Sequence, residues 1–174
     1  MKITKKQIVQ MVMTAFLIAL KVVLERFLSY SVWNSRIGFS FIAVAFAAAM
    51  YGPVTAMLVG GIGDIAGALL LPSGPYFFGF TLTAVLTAFC TASFIYKNAT
   101  VVKIAVSVLI NQIFGSVLLN SLWISIVFGV KYWASIPTRL IQSVIMTVIQ
   151  IVLITILFGE KSPVRQALKK QIKL

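Results

Sequence analysis

Apolar residues come in long blocks along this chain, separated by short joints rich in charge, glycine, proline or aromatics. The blocks cover about 7–28, 38–50, 54–71, 80–96, 104–127 and 137–158. A membrane-spanning helix needs roughly 17–25 residues, so the pattern predicts six transmembrane helices, the second of them short. The joints carry break signals. Tyr51-Gly52-Pro53 stops the second block, and Leu71-Pro72-Ser73-Gly74-Pro75-Tyr76-Phe77-Phe78-Gly79 separates the third from the fourth. Lys97 to Lys103 forms a polar turn, and Pro137 suits the first turn of the last helix. The third block holds Gly60, Gly61, Gly63 and Gly67, which permit close backbone approach or local unwinding. No internal repeat is visible, which argues against a transporter built from two homologous halves.

Composition narrows the class. Of 174 residues, 60% are hydrophobic and 10% charged, against about 25% charged in soluble domains. There is too little polar surface for a water-soluble globule, so the chain reads as an all-α integral membrane protein. Residues 1–174 form a single domain with no separate soluble part. No Gly-Lys-Ser/Thr phosphate loop is present, so the chain does not itself use ATP in that way. Histidine is absent and Cys90 is the lone cysteine, which excludes a histidine base, histidine metal ligation and an intrachain disulfide. Neither a metal nor a cofactor is expected. A lipid-processing membrane enzyme would need clustered acids or a base, and only Glu25 and Asp64 fall within the spans.

The net charge of +12 invites comparison with nucleic-acid binders, but its distribution points to a membrane. Lys2, Lys5, Lys6, Lys97, Lys103, Lys161, Arg165, Lys169, Lys170 and Lys173 all fall on one side of a six-span layout. This is the positive-inside signal, and it places both termini in the cytoplasm. The first block lacks a small-residue cleavage site and reads as a span and not a signal peptide.

On the outer side stand Lys21, Arg26, Arg36, Lys131 and Arg139, an excess that the positive-inside rule disfavours. Lys21 and Glu25 are four apart on one helix face and can pair. The guanidiniums of Arg26, Arg36 and Arg139 suit a carboxylate bidentately, so an anionic solute entering from outside is the expected ligand. Tyr30, Trp33, Tyr76, Phe77, Phe78, Tyr132 and Trp133 sit at external loops or span ends, as an interfacial belt or as stacking surfaces for a flat heterocycle. Asn111, Gln112, Asn120, Gln142 and Gln150 add amides, and Asn120 with Trp123 is expected nearest the cavity. Three roles stand open for Asp64: accepting from the N–H edge of a ring, neutralising an arginine, or, behind these two, coupling to protons. Ala15 and Ala19 form a small-xxx-small pair, suited to packing within the bundle or to a partner helix.

The runs Arg36-Ile37-Gly38-Phe39-Ser40-Phe41-Ile42, Tyr51-Gly52-Pro53, Gly63-Asp64-Ile65-Ala66-Gly67 and Leu71 to Leu82 resemble the substrate-binding (S) components of energy-coupling-factor (ECF) vitamin transporters, the folate branch above all. The likeness is densest over residues 36–91. It implies a six-helix subunit of the bacterial plasma membrane that captures folate outside and is no enzyme. The subunit would dock on a transmembrane coupling protein energised by two cytoplasmic ATPases. Family members carry an Ala-xxx-Ala docking pattern on the first helix, which Ala15 and Ala19 match. From the residues themselves, the expected substrate-binding set is Arg26, Trp33, Arg36, Asp64, Tyr76, Phe77, Asn120, Trp123 and Arg139. Where the family often has a proline near residues 43–45, this chain has Ala43-Val44-Ala45. The alternative ligands are another vitamin or heterocycle: pantothenate, hydroxymethylpyrimidine or a queuosine precursor. A self-sufficient channel or ion-coupled carrier is a further alternative.

Overall fold

The computed structural model describes residues 4–32, 35–72, 74–159, 162–163 and 165–166, with the side chains of Lys6 and of residues 30–32 and 35–37 left undescribed. The elements are α1 (Lys5–Arg26), β1 (Tyr30–Val32), β2 (Ser35–Ile37), α2 (Phe41–Tyr51), α3 (Pro53–Leu70) and α4 (Phe78–Ile95). They continue with α5 (Val101–Ile110), a π-helical segment (Asn111–Leu119), α6 (Asn120–Phe128) and α7 (Tyr132–Phe158). The structure is a helical bundle whose only strands among the described residues form a small hairpin, with Tyr30 opposite Ile37 and Ser31 opposite Arg36. α5, the π segment and α6 run on as one apolar rod, Val101–Phe128. That rod, α1, α3, α4 and α7 are the five helices long and apolar enough to cross a bilayer.

α2 is shorter than those five, about 16 Å long at 1.5 Å per residue. It ends where Gly52 takes φ +91°, a left-handed conformation that glycine adopts at little cost, and Pro53 starts α3 at once. α2 compensates by being central. Ala43, Ala45, Ala47, Ala48 and Ala49 are all buried, and small side chains on every face let four helices close around it.

The glycines of α3 serve close approach, and the helix is unbroken from Pro53 to Leu70. A Cβ at Gly60 would lie 2.9 Å from the Ala84 carbonyl oxygen, and one at Gly61 would lie 2.8 Å from Val85 Cγ2. These two positions seat α4. One at Gly63 would meet Lys21 Cδ at 2.6 Å, and one at Gly67 would meet Arg26 Nε at 3.3 Å. The second pair of glycines thus gives the long cationic side chains of α1 room to lie across α3.

One expectation changes. α7 begins at Tyr132, so Pro137 lies inside it and not in its first turn. The turn forms because the Ala134 N–H reaches the Lys131 carbonyl and Ser135 Oγ caps the Tyr132 carbonyl at 2.8 Å. Arg165, counted among the cytoplasmic cations, is buried. It donates to the carbonyls of Phe158, Ile95, Tyr96 and Lys97 at 3.1–3.3 Å. Helix C-termini leave carbonyls without intrahelical partners, and one guanidinium serves the ends of α4 and α7 together.

Candidate functional site

All seven α-helices and the π segment contribute to the wall of a cavity of about 650 Å³. Its walls differ in chemistry. At one end of it stands a charged cluster. Lys21 Nζ pairs with Glu25 Oε2 at 2.8 Å, as the four-residue spacing predicts, with Lys21 only 5% exposed. Asp64 on α3 accepts from Thr81 Oγ1 at 2.6 Å. Because that hydroxyl's proton is committed to the carboxylate, the 2.9 Å contact between Tyr76 and Thr81 has the Tyr76 O–H donating. A relay Tyr76 to Thr81 to Asp64 therefore ties the mouth aromatic to the half-buried acid. Lys21, Glu25 and Arg26 all act electrostatically on Asp64. Two cations and two acids make this cluster neutral as a unit.

Arg139 on α7 differs. It is 7% exposed, and its Nη1 donates to the Ser116 carbonyl at 3.2 Å. Its Nε is buried without a hydrogen-bond partner, and no described acid pairs with it. Glu25 and Asp64, the acids among the described residues, belong to the cluster just described. A buried charge is costly unless paired. Arg139 is thus a cation on the cavity wall whose charge no side chain of this set balances.

The aromatic wall is Tyr76, Phe77 and Phe80. Phe77 packs edge-on to Phe80, with centroids 6.3 Å apart, and against Trp123 at 5.5 Å. Trp123 stands one layer behind: its Nε1 donates to Thr83 Oγ1 at 2.9 Å, and it fills the space over Gly79. It props Phe77 and is absent from the cavity lining, while Asn120 lines it as expected. Arg26, Asp64, Tyr76, Phe77, Asn120 and Arg139 therefore share one cavity. Trp33 and the side chain of Arg36 lie outside the described residues.

Sequence reasoning missed the polar floor. Thr83, Thr87 and Thr91 face the cavity at helical spacing, each hydroxyl donating to the carbonyl four residues back, at 2.8–3.1 Å. Their oxygens remain as acceptors, used by Trp123 at Thr83 and by Asn111 Nδ2 at Thr91, 2.7 Å. The four-residue spacing of these threonines in an apolar block was the available signal. Gln112, Gln142 and Gln150 also reach the cavity. Among the described residues no cluster of acids, cysteine and histidine suits a metal ion.

Comparison with known proteins fits this geometry. Residues 5–159 match the family described as ECF-type riboflavin transporter, S component. The chain belongs to that family: it is an S component of an ECF transporter, a multi-pass membrane protein and not an enzyme. Within the class its relatives carry folate names. It is 36% identical over 150 residues to the folate transporter FolT of Clostridium novyi, covering 86% of this chain and 87% of that one. It is 32% identical over 149 residues to the folate transporter FolT of Leuconostoc mesenteroides, covering 82% and 80%. A crystal structure of FolT bound with folic acid superposes with a TM-score of 0.80 at 32% identity, over 85% of this chain and 91% of that one.

Proposed function

We propose that this chain is the folate-binding S subunit of an ECF importer. The observation that carries the reading is Arg139, a buried guanidinium on the wall of a roughly 650 Å³ cavity that also offers stacking rings and amides. Folate matches each part: a flat pterin for Phe77 and Phe80, hydrogen-bonding edges for the amides and threonines, and carboxylates for the arginine. Riboflavin, whose name the family carries, is neutral and would leave the Arg139 charge unmatched. The folate relatives support the same choice. In this reading Arg139 is the principal anion partner. Arg26 and Asp64 hold the neutral cluster that shapes the mouth, and Arg36 and Trp33 stay in the proposed binding set on their sequence alone.

The whole chain acts as one membrane domain with both termini cytoplasmic and the cavity opening outward. Energy comes from a transmembrane coupling protein and two ATPases, reached through α1. Ala15 and Ala19 are both exposed on the bundle surface, as a docking face requires.

Titration of the purified chain with folic acid, followed by tryptophan fluorescence, tests the reading. Saturable binding without ATP is expected, with a loss of tenfold or more in Arg139→Ala. Equal affinity in parent and variant would sink the carboxylate assignment. A different compound co-purifying with the chain and displaced by no folate would sink the ligand.

A further inference from the structure

The rod Val101–Phe128 lines the cavity with Asn111 and with a row that recurs at every fourth position: Val108, Gln112, Ser116, Asn120, Ile124 and Phe128. An α-helix cannot do this. At about 100° per residue, a step of four overshoots a full turn by about 40°, and five such steps rotate the face by about 200°. Val108 and Phe128 would then point to opposite sides. The all-α wall across the cavity obeys that limit, since Arg139, Gln142, Met146, Gln150 and Ile154 mix steps of three and four.

The π segment resolves the difference. Its hydrogen bonds run five residues back, as from the Asn120 N–H to the Gly115 carbonyl. The wider turn advances each residue by roughly 80°. Over Asn111–Leu119 this takes back most of the excess rotation, so one face serves the whole rod. Tethers on neighbouring helices hold the segment. Asn111 Nδ2 bonds Thr91 on α4 at 2.7 Å, and Arg139 on α7 bonds the Ser116 carbonyl at 3.2 Å. Gly115 abuts Thr87 so closely that a Cβ would come within 2.6 Å of its Cγ2.

We propose that the π-helical register of Asn111–Leu119 is the positioning element of the binding site, turning the amides of Gln112 and Asn120 onto one cavity face. Together they read the donor–acceptor edge of the ligand's heterocycle. Each amide offers both a carbonyl acceptor and N–H donors, and a ring edge alternating the two is the complement. The Arg139 bond to Ser116 couples this edge-reading face to the anion-binding one. The choice of heterocycle rests on the folate reading; the register does not.

The experiment uses the full chain in detergent, in a Cys90→Ala background, with single cysteines probed by a water-soluble thiosulfonate. Thiol labelling needs a hydrated thiolate. The π register expects fast labelling of Asn120→Cys and Ile124→Cys, slow labelling of Leu122→Cys and Ile126→Cys, and protection of the fast pair by folic acid. An unbroken α-helix continuing from Val108 expects the reverse, with Leu122 and Ile126 turned inward, and that pattern overturns the proposal. In parallel, Gln112→Leu and Asn120→Leu should each weaken folic acid at least tenfold while leaving the labelling pattern of the other cavity positions intact. Affinities within threefold of the parent in both would overturn the edge-reading role. If the parent binds no folic acid, the folate reading falls, and the labelling pattern alone still decides the register.

Discussion

Arg139 and Asp64 show how differently two charges in one apolar setting are handled. Asp64 is held within a group whose charges cancel, Lys21 and Arg26 against Glu25 and itself, with Thr81 donating to it. Arg139 has a backbone carbonyl and no acid among the described residues. Hydrogen bonds to charged groups contribute about 1.5–3 kcal/mol, so Arg139→Ala should weaken folic acid by roughly 10- to 150-fold. Arg139→Lys keeps the charge but loses the fork, and calorimetric titration should find it between the two. Tyr76→Phe removes only a neutral donor to Thr81, worth about 0.5–1.5 kcal/mol. Its expected signature is a small drop in melting temperature with affinity reduced less than tenfold. Arg26 and Arg139 were both visible in the sequence as cations in apolar blocks. Which of them stands apart from any acid depends on α1 and α3 coming together, which no spacing shows.

At the scale of elements, the helices were legible because each crosses a uniform apolar medium and must satisfy its own backbone hydrogen bonds. Block lengths therefore map onto helix lengths. The ends were less legible: Pro137 looks like a helix start, yet local bonds from Ala134 and Ser135 wind a turn in front of it. The π segment has no simple signature in residue type, since its register is held by Thr91, Thr87 and Arg139 from other helices. The α3 glycines were legible as close-approach positions, but not whom they approach. Gly60→Val places bulk against the Ala84 carbonyl and Ala88. Overpacking of this kind costs about 1–3 kcal/mol, and thermal unfolding in detergent should show a lowered midpoint with folic acid binding weakened alongside it. An unchanged midpoint would mean that α3 and α4 are not in close contact there.

For the whole molecule, the proposed function puts capture and energisation on separate surfaces. The cavity lies inside the bundle, whereas Ala15 and Ala19 face outward on α1. Ala15→Trp with Ala19→Trp should leave folic acid affinity within about twofold of the parent and abolish uptake in vesicles carrying the ATPase and coupling subunits. Uptake at the parental rate would remove α1 as the docking face. Transport by the chain alone would remove the need for partners.

Sequence by itself determined the membrane class, the number and rough extent of the helices, the charged and aromatic character of the site, and the family. These follow from local composition, because the lipid environment tests each segment separately for length, polarity and flanking charge. Only the tertiary structure decided which cavity arginine stands without an acid among the described residues, that Trp123 supports Phe77 from behind, that Arg165 caps two helices, and that a π-helical register turns one face of a long rod to the cavity. Those are outcomes of packing between helices distant in sequence, where a few ångströms of approach or some tens of degrees of rotation settle what a side chain meets.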